Sequence, residues 1–288
     1  MRPDLPLPAA YTLAALRRTV SGWRREGLSV GFVPTMGALH AGHLALVTQA
    51  LERADRVVAS IFVNPAQFAP GEDFEAYPRT LESDADKLAG AGAHLVYAPP
   101  GSEMYPDGFA TTVSLSGPAE GLESDARPHF FSGVATVVSK LFNQVRPDLA
   151  VFGEKDYQQL LVIRRLSEDL DLGVEIVPGV TVRESDGLAL SSRNAYLSAS
   201  DRRRAAALNV ILADFARALE AGAPRQKAQD AAIAAARDAF DAVDYVEARC
   251  ADTLQALPEG PIDRPARVLA AVKLGTTRLI DNRPAAAP

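Results

Sequence analysis

The chain has 288 residues, 48% of them hydrophobic and 23% charged, which is the balance of an ordinary soluble globular protein. A net charge of −6 and a pI near 5.3 argue against a nucleic-acid surface, and no stretch approaches the ~18 to 20 continuous apolar residues of a membrane span. The single cysteine, Cys250, excludes an internal disulfide and a cysteine-built metal cage; the opening MRPDLPLPAA lacks the apolar run of a signal peptide, so a cytoplasmic protein is expected.

The length leaves room for one large domain or two unequal ones. Residues 12 to 26 carry helical spacing, and LSVGFVP (28 to 34) is a short β-rich apolar run. A helix over 43 to 54 and a buried strand over 56 to 63 follow, then a helix over 80 to 91 and a strand over 94 to 98. A helix over 132 to 145, the strand LAVFG (149 to 153) and a helix from about Asp156 complete the alternation. Such a pattern predicts an α/β fold, a Rossmann-like parallel sheet with helices on both faces. Ligands of such sheets sit beyond the carboxyl ends of the strands. From about residue 184 the texture changes to a polar loop, helical stretches over 201 to 221 and 225 to 240, and three short strands. These predict a smaller C-terminal α+β domain with its boundary near 178 to 186, ending in a frayed PAAAP.

Four segments stand out for chemistry. After the first strong strand come Met36, Gly37, Ala38, Leu39, His40, Ala41, Gly42 and His43, at the start of a helix. Glycines let backbone approach a ligand, a helix N-terminus attracts phosphate, and imidazoles there can donate to phosphoryl oxygens. A His-x-x-His pair also suits zinc, although no nearby Cys, His or acidic residue completes a site, and a structural role for the pair is a third reading. After the next strand, Asn64 and Gln67 flank Pro65 and Ala66; the amides suit a small hydroxy acid, and Asn-Pro equally marks a turn. After LAVFG come Gly153, Glu154, Lys155 and Asp156. With twenty-five Arg and only five Lys in the chain, a lysine at a strand's carboxyl end reads as a phosphate partner, the alternative being a solvated cluster capping a helix. Finally, Leu190, Ser191, Ser192 and Arg193 place two hydroxyls and a guanidinium in a loop that could clamp a triphosphate.

The stretches PTMGALHAGH (34 to 43), VNPAQF (63 to 68), YPRT (77 to 80), MYPDG (104 to 108), FGEKDYQQL (152 to 160) and RESDGLALSSRNAYLS (183 to 198) together resemble one family, the pantothenate synthetases. They run in the family's order, with Ser185 the least family-like position. The His-x-Gly-His element alone would indicate only the wider nucleotidylyltransferase and class I synthetase-like group. The resemblance implies a homodimer with an ATP- and pantoate-binding domain over 1 to 183 and a lid domain over 184 to 288. It implies that pantoate attacks the α-phosphate of Mg-ATP to give pantoyl adenylate and pyrophosphate, after which β-alanine takes the acyl group and AMP leaves.

Carried over by motif, Met36 through His43 would line the ATP site, with His43 as proton donor and His40 as phosphate partner. Departing pyrophosphate hardly needs a proton, so electrostatic stabilisation by both imidazoles is at least as good a description. Gln67 and Gln159 would hold pantoate, with Asn64 and Arg127 beside the substrate. Gly153 to Asp156 would bind ATP through Lys155, Val182 would touch adenine, Leu190 to Arg193 would close over the phosphates, and Asp84 would lie near Mg2+. One departure is visible: the family's Arg-Pro-x-His-Phe reads Arg127, Pro128, His129, Phe130, Phe131 here, so His129 is given no role. Two other readings stand beside this one. A nucleotidylyltransferase would stop at a nucleotide-linked product, and a non-catalytic nucleotide-binding module would not need the full histidine, lysine and arginine set.

Overall fold

The computed structural model describes residues 5–69, 71, 72 and 74–288; residues 1–4, part of the segment read for a leader, lie outside it. In chain order the elements are β1 (Ala9–Ala10), α1 (Leu13–Arg25), β2 (Val30–Thr35), α2 (Ala41–Leu51), β3 (Arg56–Ile61), α3 (Leu81–Gly90) and β4 (Leu95–Tyr97). The short α4 (Gly101–Met104) and α5 (Glu123–Ala126) precede α6 (Phe130–Val145), β5 (Leu149–Gly153), α7 (Tyr157–Asp169) and β6 (Glu175–Gly179). Last come α8 (Ala199–Ala205), α9 (Ala207–Glu220), α10 (Arg225–Ala239), β7 (Ala242–Cys250), β8 (Ala266–Leu274) and β9 (Thr277–Ala285). Two compact units result: one takes residues up to Glu154 together with Val162–Val180, the other Lys155–Leu161 and Thr181–Pro288.

The first unit is built on a six-stranded, all-parallel sheet in the order β1-β4-β3-β2-β5-β6. Successive residues of β2 serve opposite faces. Phe32 stands edge-on to Phe142 of α6, ring centroids 6.3 Å apart, whereas Val33 joins Val47 and Ala50 of α2 and Leu88 of α3 in the other face's core. Both faces are therefore dry, as the unbroken apolar strands require. The chain runs from β2 outward through β3 and β4 and later returns to lay β5 on the other side of β2. The carboxyl ends of β2 and β5 thus flank the switch point where such sheets receive ligands.

The second unit holds the three-stranded antiparallel sheet β7-β8-β9, covered by α9 and α10. Ala228, Ala232 and Ala236, one per turn of α10, are buried and give that helix a small-residue face against the core of Leu212, Phe215 and Val268.

Four details differ from the sequence expectation. β1 and β6 were not foreseen: β1 is two residues long, and β6 contains Glu175 and Pro178, which an edge strand tolerates. The helix expected over 201 to 221 begins at Ala199 and is interrupted at Ala206. The tail does not fray where expected, since Pro284 and Ala285 pair with Arg267 and Ala266 on β8.

Gly133 on α6 touches the turn after β3 so closely that a Cβ there would lie 2.2 Å from the Ala66 carbonyl oxygen. Gly133→Ala should therefore destabilise the fold by about 1–3 kcal/mol, the usual scale for overpacking. A urea titration checks this; an unchanged midpoint would mean that the turn is not pinned by α6.

Candidate functional site

The turn between β2 and α2 is clamped from α3. Gly37 has φ +86°, and Ala38 follows with φ +51°, a conformation that side chains rarely adopt. The Asp84 side chain, 0% exposed, accepts from the Ala38 amide at 2.9 Å and the Leu39 amide at 2.8 Å. The Thr80 hydroxyl donates to the same carboxylate at 3.0 Å. One turn along, Lys87 donates to the Leu39 carbonyl at 2.9 Å and stands 3.8 Å from Asp84. Strain at Ala38 is thus held by a buried carboxylate and its partners.

That clamp delivers the two histidines to the start of α2. His40 is the N-cap, and its Nδ1 accepts from the Gly42 amide at 3.2 Å; His43 Nδ1 accepts in return from the His40 amide at 3.3 Å. The arrangement is a capping box made of imidazoles, with ring centroids 4.1 Å apart. An Nδ1 that accepts carries no proton, so both rings are neutral tautomers with the proton on Nε2. Protonating either ring would cost it the cap bond and add positive charge at the positive end of the helix dipole. The cap bonds therefore favour neutral rings whose donor end is Nε2–H.

Asp84 turns both carboxylate oxygens to the turn amides and the Thr80 hydroxyl, with Lys87 farther off. Ala38 and Leu39 do not offer their amides to phosphate, because both donate to Asp84. Among the described residues no group of three or more His, Cys, Asp or Glu side chains could hold a metal ion, so the zinc reading of His40 and His43 has no third ligand.

Beyond β3, the turn Pro65–Gln67 is organised by Asn64, itself 1% exposed. The Asn64 amide donates to Gln67 Oε1 at 3.0 Å and to the Gly133 carbonyl at 3.1 Å. Its oxygen accepts from the Ala66 amide at 3.3 Å and the Tyr105 hydroxyl at 2.8 Å. All four of its hydrogen-bonding positions are used, so Asn64 positions Gln67. With Gln67 Oε1 occupied, the Gln67 side chain is oriented to offer its NH2 end. Burial pushes the Tyr105 hydroxyl up to about 12, keeping it a neutral donor.

Arg127 is likewise committed locally. Its Nε and Nη2 donate to the two Glu72 oxygens at 2.8 Å each, and Nη2 also donates to the Gln67 carbonyl at 2.8 Å. Burial raises the Glu72 carboxyl, but the bonds from Arg127 and the Ala69 amide outweigh it and hold the group below its ordinary value. The guanidinium lies 4.1 Å from the Phe130 ring centroid. Arg127 thus clamps the Gln67 turn, with Phe130 as its stacking floor. His129 sits at the N-cap position of α6 without a side-chain cap bond, its Nε2 buried without a hydrogen-bond partner.

After β5, Gly153 ends the strand and Glu154–Asp156 form a single 3-10 turn leading into α7. In the second unit, Lys155 has a side chain 19% exposed whose ammonium stands 3.7 Å from Asp156, and Gln159 is half-buried one turn of chain later. Val182 accepts from the Leu190 amide at 3.0 Å, and Arg183 bridges Ala189, so the expected loop is a small hairpin. Ser191 then caps the 3-10 turn Ser192–Tyr196, its hydroxyl accepting from the Arg193 amide at 3.3 Å. The first unit thus gathers Met36 to His43, Asn64, Gln67, Asp84 and Arg127; the second gathers Lys155, Asp156, Gln159, Val182 and Leu190 to Arg193.

The family model of pantoate-beta-alanine ligase matches residues 9–284. The chain belongs to that family. It is a ligase in consequence. A pantothenate synthetase from Maricaulis maris is 64% identical over 282 residues, covering 98% of both chains. Another, from Rhodospirillum rubrum, is 56% identical over 96% of this chain and 98% of its own. Among solved structures, the pantothenate synthetase of Thermus thermophilus aligns with a TM-score of 0.90 at 47% identity, covering 96% of this chain and 99% of its own. The pantoate-beta-alanine ligase of Francisella tularensis, complexed with beta-gamma ATP and beta-alanine, aligns at 0.79 and 32% identity, covering 96% and 97%.

Sequence reasoning missed the residues that hold the ligase's turns. Tyr105 and Thr80 lay inside quoted motifs without a duty, and Lys87 was marked only by the scarcity of lysine. The Asp84→Ala change would strand two amides, each costing about 1–3 kcal/mol. The denaturation midpoint should fall accordingly; a midpoint within error of the parent would contradict the clamp.

Proposed function

We propose that this ligase condenses (R)-pantoate with β-alanine to give pantothenate, through a pantoyl adenylate formed from ATP. A pantoate carboxylate oxygen attacks the α-phosphorus, the bond to the β-phosphate oxygen breaks, and pyrophosphate leaves with the electron pair. The β-alanine amine then attacks the acyl carbon, sheds a proton, and AMP departs. The second step needs positioning and exclusion of water more than a strong catalyst, because the anhydride is already activated. What supports this reading, beyond the family and its relative complexed with ATP and β-alanine, is the histidine pair whose mutual cap bonds leave Nε2 as the donor end of each ring at a helix N-terminus.

In this reading His40 and His43 donate to phosphoryl oxygens as charge builds, and neither releases a proton. Met36, Gly37, Ala41 and Gly42 border the nucleotide with them. Lys155 supplies the cation for the phosphates, flanked by Gly153, Glu154 and Asp156; Val182 borders adenine, and Ser191, Ser192 and Arg193 grip the phosphates. Gln67 donates from Nε2 to a pantoate oxygen, and Gln159 completes the pocket. Mg2+ arrives on the triphosphate as part of the substrate, with no ligand asked of Asp84. The working form is a cytoplasmic homodimer; the resemblance alone supports these last two points.

ATP–pyrophosphate exchange that requires pantoate but not β-alanine is the expected behaviour; exchange without pantoate, or none in a folded enzyme, would reject the adenylate. Lys155→Ala should slow exchange by ~10² or more, the scale of one lost transition-state donor. Gln67→Ala should chiefly raise the KM for pantoate, and an unchanged pantoate dependence would remove it from the pocket.

A further inference from the structure

In the second unit a buried polar chain ties the backbone of Lys155 to the outer strand of the small sheet. Asn282 on β9, 3% exposed, donates from its side-chain amide to the Lys155 carbonyl at 2.8 Å. Its oxygen accepts from Arg267 Nε on β8 at 2.5 Å. The Arg267 guanidinium, 6% exposed, stacks 4.0 Å from the centroid of Tyr157, and the Tyr157 hydroxyl donates to the Ala251 carbonyl at 3.0 Å. Residues 155 and 157 are thus gripped from two strands at once.

The neighbouring residue performs the same service for the other phosphate-side segment. Asp281, also 3% exposed, receives both ends of the Arg183 guanidinium at 2.6 and 2.9 Å. Arg183 donates further to the Gly187 carbonyl at 3.0 Å and the Asn282 carbonyl at 3.3 Å. Arg183 begins the hairpin that pairs with Ala189 and leads into Leu190 to Arg193. Within that hairpin Gly187, φ +89°, has no space for a Cβ beside the Asn209 side chain.

We propose that Asn282, with Asp281 beside it, is a positioning residue for adenylate formation: one dipeptide of β9 fixes the Lys155 turn and the 183–193 segment in a common register. A buried Asn in mid-strand offers little packing, and a buried Asp is costly unless paired. Here both are hydrogen-bonded, and each is engaged with a segment assigned to the phosphates. The inference rests on the reading of Lys155 as the phosphate cation. A misplacement of about 1 Å at such a group costs ~10²-fold in rate.

The separating substitution is Asn282→Asp. It preserves the acceptor for Arg267, now charged, but replaces the donor to the Lys155 carbonyl by an oxygen that repels it. The expected result is a loss of tenfold or more in pantoate-dependent ATP–pyrophosphate exchange, on the ~10²-fold scale of a misplaced group, with the KM for pantoate held and, although the thermal midpoint falls, the enzyme still folded at the assay temperature. In a Lys155→Ala background the same change should have little further effect, because the two act as a unit. A normal exchange rate for Asn282→Asp, or a loss that simply multiplies that of Lys155→Ala, overturns the positioning role. A normal rate for Lys155→Ala alone instead overturns the reading of Lys155 itself. Should Asn282→Asp fail to fold, Asn282→Ser removes the same amide donor without adding charge and is judged by the same two outcomes.

Discussion

The Asp84 carboxylate is the constraint on which the first unit's chemistry depends. A charge with 0% exposure is costly unless every lone pair is answered. Asp84 is answered by two turn amides, the Thr80 hydroxyl and, farther off, Lys87. These bonds hold Gly37 and Ala38 at positive φ, which lets the chain leave β2 and enter α2 with His40 at the cap. From that entry follows the reciprocal capping of His40 and His43. The tautomers of both rings are in this sense a consequence of a carboxylate on another helix.

The same logic recurs at the other segments. Asn64 spends its whole hydrogen-bonding capacity on the turn that carries Gln67, and Arg127 grips that turn's carbonyl while anchored to Glu72. Asn282 and Asp281 do the corresponding work in the second unit. In each case a saturated, buried polar residue stands one layer behind a residue with a defined donor end. Preorganisation of this kind lets hydrogen-bond donors stabilise developing charge without rearranging during the reaction.

Much of this was legible in the sequence, and the residues explain why the rest was not. The apolar runs around Phe32, Val58 and Val151 announced a two-sided parallel sheet, and the strand ends directed attention to His40, Gln67 and Lys155. Pro178 and Glu175 hid β6, since only the edge position makes them acceptable in a strand. The local duties of Asp84, Asn64 and Arg127 were not legible, because polarity near a motif does not say which backbone groups a side chain holds. Asp84 meets Leu39 across 45 residues, and Arg127 meets Gln67 across 60; no local pattern reports such pairs. The displaced histidine at 129 had a visible signal but no visible meaning until Phe130 was found beneath the Arg127 guanidinium.

The most direct measurement is the protonation and tautomeric state of the imidazoles by nitrogen-15 NMR, tractable with four histidines in the chain. His40 and His43 are predicted to be neutral at pH 7.5 with the proton on Nε2, and added nucleotide should shift Nε2 while Nδ1 keeps its acceptor signature. An imidazolium, or a proton on Nδ1 of either ring, would contradict the capping account and restore a proton-donating histidine to the mechanism.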